Sequence, residues 1–95
     1  MGIVAAMRHD RRTWIHTATD EYPTYYPLGE LLAWLGDPPF LRVARDAIVN
    51  LQSVAEVLHY GDRLYRLRLR DRKNTSVEAS RSGAVRLSSL LKPAL

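Results

Sequence analysis

From Tyr65 to Arg70 apolar and cationic residues alternate without a break, Tyr65, Leu67 and Leu69 against Arg66, Arg68 and Arg70. A period of two puts each set on its own face of a β-strand, whereas a helix would scatter both around its axis. The apolar face of such a strand must be buried, so the chain has to fold a second layer over it. The punctuation of the rest agrees with a mainly β fold carrying short helices.

Residues 3–7 and 13–19 predict two strands joined by the polar stretch Arg8-His9-Asp10-Arg11-Arg12. In the second, Trp14, His16 and Ala18 fall on one face and Thr13, Ile15, Thr17 and Thr19 on the other. Asp20-Glu21 predicts a turn, and residues 22–25 a short returning strand. Pro27 suits the first turn of a helix, where its missing N–H costs nothing, and Leu28, Leu31, Leu32 and Leu35 follow as one apolar stripe. Gly36 ends that helix and Asp37-Pro38-Pro39 prevents its resumption. Residues 40–43 and 47–50 read as strands interrupted by the polar pair Arg45-Asp46. Residues 53–60 form a further strand, with Val54 and Leu58 on the face opposite Val57, and Gly61-Asp62 a tight turn. Asp71-Arg72-Lys73-Asn74 turns the chain into a strand over residues 75–79. The spacing of Ala84, Leu87, Leu90 and Leu91 after Ser80-Arg81-Ser82 predicts a closing helix, ended near Pro93. The expected organisation is one domain over residues 1–95, with its core within about 3–91.

A hydrophobic share of 46% with 25% charged residues is that of a folding chain. The absence of cysteine excludes a disulfide framework, thiol catalysis and Cys-ligated metal centres. His9, His16 and His59 have no metal-ligand spacing, Ser80 and Ser82 lack a nearby base, and no nucleophile elbow or phosphate loop occurs. No catalytic residue, metal or cofactor is expected, and the protein is not expected to be an enzyme. No run approaches the roughly 18 apolar residues of a membrane-spanning helix. The apolar start precedes Arg8 rather than following a cationic region, unlike a signal peptide. A soluble, cytoplasmic protein without a membrane partner is the expectation.

The formal net charge is +4, and twelve of the fourteen cations are arginine. The planar guanidinium fork suits phosphate oxygens and guanine edges, so the balance points to an anionic partner. The stretch 8–12 reads as a basic binding loop or as an ordinary soluble turn. Arg66, Arg68 and Arg70, about 6.6 Å apart on one strand face, would track a phosphate backbone. The plainer reading of that row is a solvated face or an edge kept charged against aggregation. Trp14, Tyr22, Tyr25 and Tyr26 have rings that can stack on bases, although half-buried sheet aromatics are commoner. Trp34, beside the leucine stripe, is expected to pack.

The segment Phe40-Leu41-Arg42-Val43-Ala44-Arg45-Asp46-Ala47-Ile48-Val49-Asn50-Leu51 resembles the central signature of LytTR domains, the DNA-binding domains of bacterial transcription regulators. That signature reads aromatic, any residue, Arg, aliphatic, His, Arg, Ser, any residue, aliphatic, Val, Asn, aliphatic. An aliphatic helix before it, an alternating strand after it, and Ser80-Arg81 ahead of a terminal helix agree in order and spacing. The likeness runs from about Ile3 to Leu91. It implies an elongated, mostly β domain that binds double-stranded promoter DNA at direct repeats. It also implies pairing of copies on that DNA and a receiver or sensor domain in a longer parent protein. Contacts in the family come from loop residues inserted into the major groove, which correspond here to His9, Arg11 and Arg12, to Arg45, and to Arg81. Arg42 and Asn50 match the signature and are counted with them, although such residues at strand ends also satisfy backbone groups. The family's His-Arg-Ser is Ala44-Arg45-Asp46 here, and the acidic residue usual at the end of the first strand is replaced around Ala5-Ala6. These departures suit the alternative function, a protein-interaction module or antagonist built on the same scaffold without DNA binding.

Overall fold

The computed structural model describes residues 2–36, 39–60 and 64–91, apart from the side chains of His59, Tyr60, Leu64 and Leu91. Among the described residues, Ile3–His9 (β1), Arg12–Thr17 (β2), Glu21–Thr24 (β3), Phe40–Ala44 (β4) and Ala47–Asn50 (β5) form an antiparallel sheet in the order β3-β2-β1-β5-β4. Val54–Tyr60 (β6), Leu64–Leu69 (β7) and Ser76–Ala79 (β8) form a second, three-stranded antiparallel sheet. The helices Leu28–Leu35 (α1) and Arg81–Leu91 (α2) and the single 3-10 turn Leu51–Ser53 complete the described chain. Its extents of 38 × 26 × 25 Å give it the elongated shape expected. The expected turn at Gly61-Asp62, the stop at Asp37-Pro38 and the end at Pro93 lie outside the described residues.

The alternation in β7 finds its second layer. Leu67 and Leu69, with Val77 and Ala79 of β8, pack against Val4, Ala5, Leu41, Val43, Ala47 and Val49 of the larger sheet, and Ala84 and Leu87 of α2 join them. On the other face of that sheet, Leu28 and Leu31 of α1 cover Ala6, Phe40 and Ile48. Both faces of β1 are therefore occupied, and Ala5 and Ala6 are both wholly buried. Leu41, Ile48, Leu67, Leu69 and Leu87 are fully enclosed. Truncating any of them to Ala costs about 2–5 kcal/mol, through lost transfer energy and the cavity left behind.

Several local expectations are corrected. A bulge between Val54 and Glu56 shifts the period of β6, so Val54 and Val57 both meet the core instead of facing opposite ways. The stretch 8–12 is mostly strand: the connection is the two residues Asp10 and Arg11, with φ of 51° and 63°. Two left-handed residues between antiparallel strands make the turn whose twist matches the strands. β2 ends at Thr17, because the Thr17 hydroxyl accepts from the Asp20 N–H (3.1 Å) and closes a turn there. Pro27 stands at the N-cap rather than inside α1, with its carbonyl accepting from the Leu31 N–H at 3.1 Å. Trp34 is 67% exposed and touches Tyr26, ring centroids 4.6 Å apart, instead of packing beneath the leucine stripe. Gly36 takes a φ of 92°, a conformation in which a β-carbon is strained, and its N–H caps the Leu32 carbonyl.

Candidate nucleic-acid interface

Three connections meet at one end of the molecule because of how the strands pair. The β1–β2 pairing sets His9 opposite Arg12 across the two-residue turn. The β1–β5 pairing sets Met7 opposite Ala47, which brings the β4–β5 turn alongside the end of β1. There the Arg8 N–H donates to the Asp46 carbonyl at 2.8 Å. The end of β8 reaches the same place, where the Ser80 N–H donates to the Val43 carbonyl at 2.8 Å. Met7, Arg8, His9, Ala44, Arg45, Asp46, Ala47 and Glu78 line one depression of about 290 Å³ between these segments.

Each segment is held by its own backbone. In the β1–β2 hairpin the His9 imidazole stacks on the Trp14 indole, centroids 5.2 Å apart and planes 7° from parallel. The His9 Nδ1 lies 3.4 Å from the Asp10 carboxylate. Trp14 is thereby a support for His9 and not a free stacking surface. In the β4–β5 turn the Arg42 guanidinium donates to the Arg45 carbonyl at 2.6 Å, which ties the turn down and leaves the Arg45 side chain outside. At α2 the Ser80 hydroxyl accepts from the Gly83 N–H at 3.1 Å, an N-cap that fixes where Arg81 leaves the helix.

Charge separates the arginines into two groups. Arg68 donates to Glu56 at 2.8 Å, and Arg66 lies 3.5 Å from Glu78. Both are cross-strand neighbours in the second sheet, and Arg70 falls beyond the end of β7. The alternating arginine row is therefore largely neutralised, a charged sheet face rather than an open track. Arg11, Arg12, Arg45 and Arg81 are exposed, and among the described residues none of their guanidinium groups has a hydrogen bond or ion pair. Asp10 and Asp46 are exposed at the same end, and Glu78, already paired with Arg66, lines the depression.

Of the residues expected from the sequence, His9, Arg11, Arg12, Arg45 and Arg81 come together at this end. Asn50 does not. It stands at the far end of β5, three residues and about 10 Å away, where its amide donates to the Ile3 carbonyl (3.0 Å) and accepts from the Gln52 N–H (3.0 Å). Arg42 is near the site but engaged with backbone. Arg8 was visible in the sequence as part of the basic stretch, and Ser80 and Trp14 as neighbours in the chain of site residues. Their supporting roles depend on pairings that no local pattern announces.

His16, further along β2, is buried, and burial holds its imidazole below the ordinary value of 6.5 while the Glu21 carboxylate, 3.6 Å from Nδ1, opposes that shift. Among the described residues no group of His, Asp and Glu is arranged to hold a metal ion, and no helix is long and apolar enough to cross a membrane.

The family model of the LytTr DNA-binding domain matches residues 2–92. Among solved structures, the chain is similar to the LytTr DNA-binding domain of a methyl-accepting/DNA response regulator from Bacillus cereus. The identity is 21% and the TM-score 0.81, with 96% of this chain and 82% of that one covered. No curated protein matches.

Proposed function

The chain belongs to the LytTR family of DNA-binding domains, and from that membership we propose that it reads a specific duplex site as the DNA-contacting part of a transcription regulator. His9, Arg11 and Arg12 at the hairpin, Arg45 at the β4–β5 turn and Arg81 at the start of α2 enter the major groove. The observation that carries this reading is the set of exposed arginines, unpaired among the described residues, gathered at one end by three separate connections. Arginine there can bind guanine O6 and N7 bidentately, while neighbouring cations set register on the phosphates. Asp46 stands beside Arg45 in the same turn, where a carboxylate can accept from a cytosine amino group. Arg42 and Asn50 serve the reading indirectly, by fixing the backbone that presents Arg45 and the far end of the sheet.

Pairing of copies on direct repeats and a receiver or sensor domain in the parent protein, both implied by the family resemblance, are part of the proposal. A mobility-shift selection from a random duplex library, repeated at two salt concentrations, tests it. An enriched motif whose affinity falls steeply with salt supports base readout added to backbone attraction. Salt-sensitive binding without enrichment reduces the protein to a nonspecific polycation, and absence of binding at low salt overturns the reading.

One observation favours the alternative, a protein-interaction module on the same scaffold. Tyr22, Tyr26 and Trp34 leave large apolar surface in solvent on the α1 side, as Val85 and Leu90 do on α2.

A further inference from the structure

Tyr25 is 99% exposed, so its ring contributes nothing to the core. It follows β3 directly, and the strand pairing gives it a defined place. Thr13 pairs with Thr24, and just past that pair Arg12 and Tyr25 lie beside each other at the strand ends. The two residues, with Pro23 and Thr24, line one recess of about 70 Å³. The recess exceeds the roughly 10–15 Å³ that one water-sized group needs, so the exposed oxygens of a phosphate can enter it. Arg12 is in turn opposite His9 in the β1–β2 pairing. His9, Arg12 and Tyr25 therefore fall at neighbouring ends of β1, β2 and β3. The chain just past Tyr25 is tied back, the Tyr26 N–H donating to the Thr24 hydroxyl at 3.3 Å.

We propose that Tyr25 also contacts DNA, its hydroxyl donating to a backbone phosphate oxygen at the edge of the groove that Arg12 enters. The inference rests on the DNA-binding reading above and extends its surface by one strand, to the β3 edge. A phenol offers one O–H donor, and a phosphate oxygen is an acceptor whose charge strengthens that bond. Arg12, exposed and unpaired among the described residues, supplies the opposite charge. A backbone contact fits better than a stacked base, because bases within a duplex present only their edges in the grooves. Such a contact positions the domain on the duplex and carries no sequence preference of its own.

The test measures binding of the wild type, Tyr25→Phe and Tyr25→Ala to a selected site and to a random duplex, alongside thermal unfolding. Tyr25→Phe, which removes only the hydroxyl, is expected to weaken both duplexes equally, by about tenfold, with Tyr25→Ala no worse. The unfolding midpoint should not move, since the side chain lies in solvent. Wild-type affinity in Tyr25→Phe overturns the proposal, and so does a loss confined to the selected site, which would make Tyr25 a base reader. Failure of the wild type to bind either duplex at low salt overturns the DNA reading itself and the proposal with it.

Discussion

A β-carbon at Gly83 would lie 2.1 Å from the Val43 carbonyl oxygen, so α2 approaches β4 as closely as a residue without a side chain permits. The obstacle is backbone already holding Ser80, whose N–H donates to that same carbonyl. Gly83→Ala therefore forces helix and strand apart. We expect a loss of about 1–3 kcal/mol or more in urea unfolding. The variant's DNA binding should fall further than stability alone explains, because Arg81 moves with the helix. Wild-type stability would mean that α2 does not seat on β4 as described.

Arg11 carries its charge at a φ of 63°, where a side chain is strained by about 1–2 kcal/mol. Arg11→Gly should keep or raise stability, by up to about 1 kcal/mol, after the glycine's larger entropy loss is set against relief of strain. DNA affinity should drop at the same time. Denaturation and binding measured on one preparation check both, and a marked loss of stability would show that the arginine supports the hairpin.

Arg45→Ala and Asn50→Ala should separate reading from holding. Among the described residues the Arg45 side chain makes no hydrogen bond or ion pair, so its removal should cost about 1–3 kcal/mol on a selected site, relax preference there and leave stability unchanged. Asn50 closes two backbone bonds, and its removal should cost about 1–3 kcal/mol of stability while the ratio of specific to random binding stays the same. A changed ratio in Asn50→Ala would place that residue at the DNA after all.

His16 makes stability depend on pH. Burial lowers its folded-state value below the ordinary 6.5, with Glu21 opposing. Below about 6.5 the unfolded chain takes up a proton that the folded chain resists, so its contribution is full above that value and is lost as pH falls through the folded-state value. The slope from this one group is at most about 1.4 kcal/mol per pH unit. Urea unfolding of the wild type and His16→Asn between pH 8 and about 5 should show a gap in slope that opens only on the acidic side. Parallel profiles would assign the acid sensitivity elsewhere.

The elements were legible because their signals are local. Alternation over Tyr65 to Leu69 and the leucine stripe bounded by Pro27 and Gly36 are properties of neighbouring residues, and both elements formed where the pattern placed them. The signature around Arg45 was likewise readable in the chain, and with it the family. What lay outside local pattern was decided by partners far away in sequence. The bulge in β6 turned Val57 inward because the opposing strand and core demanded it. Glu56 and Glu78 neutralised two arginines of an apparently open basic row because strand pairing set them opposite Arg68 and Arg66. Asn50, equal to Arg45 in the sequence pattern, was separated from it by the length of β5 and bound to Ile3. Tyr25 gained a place beside Arg12 only through the pairing of β2 with β3. Periodicity, governed by the geometry of single elements, is therefore the sequence's own contribution. Which side chains are paired, buried or left exposed at the shared end depends on long-range pairing, and that only the tertiary structure decided.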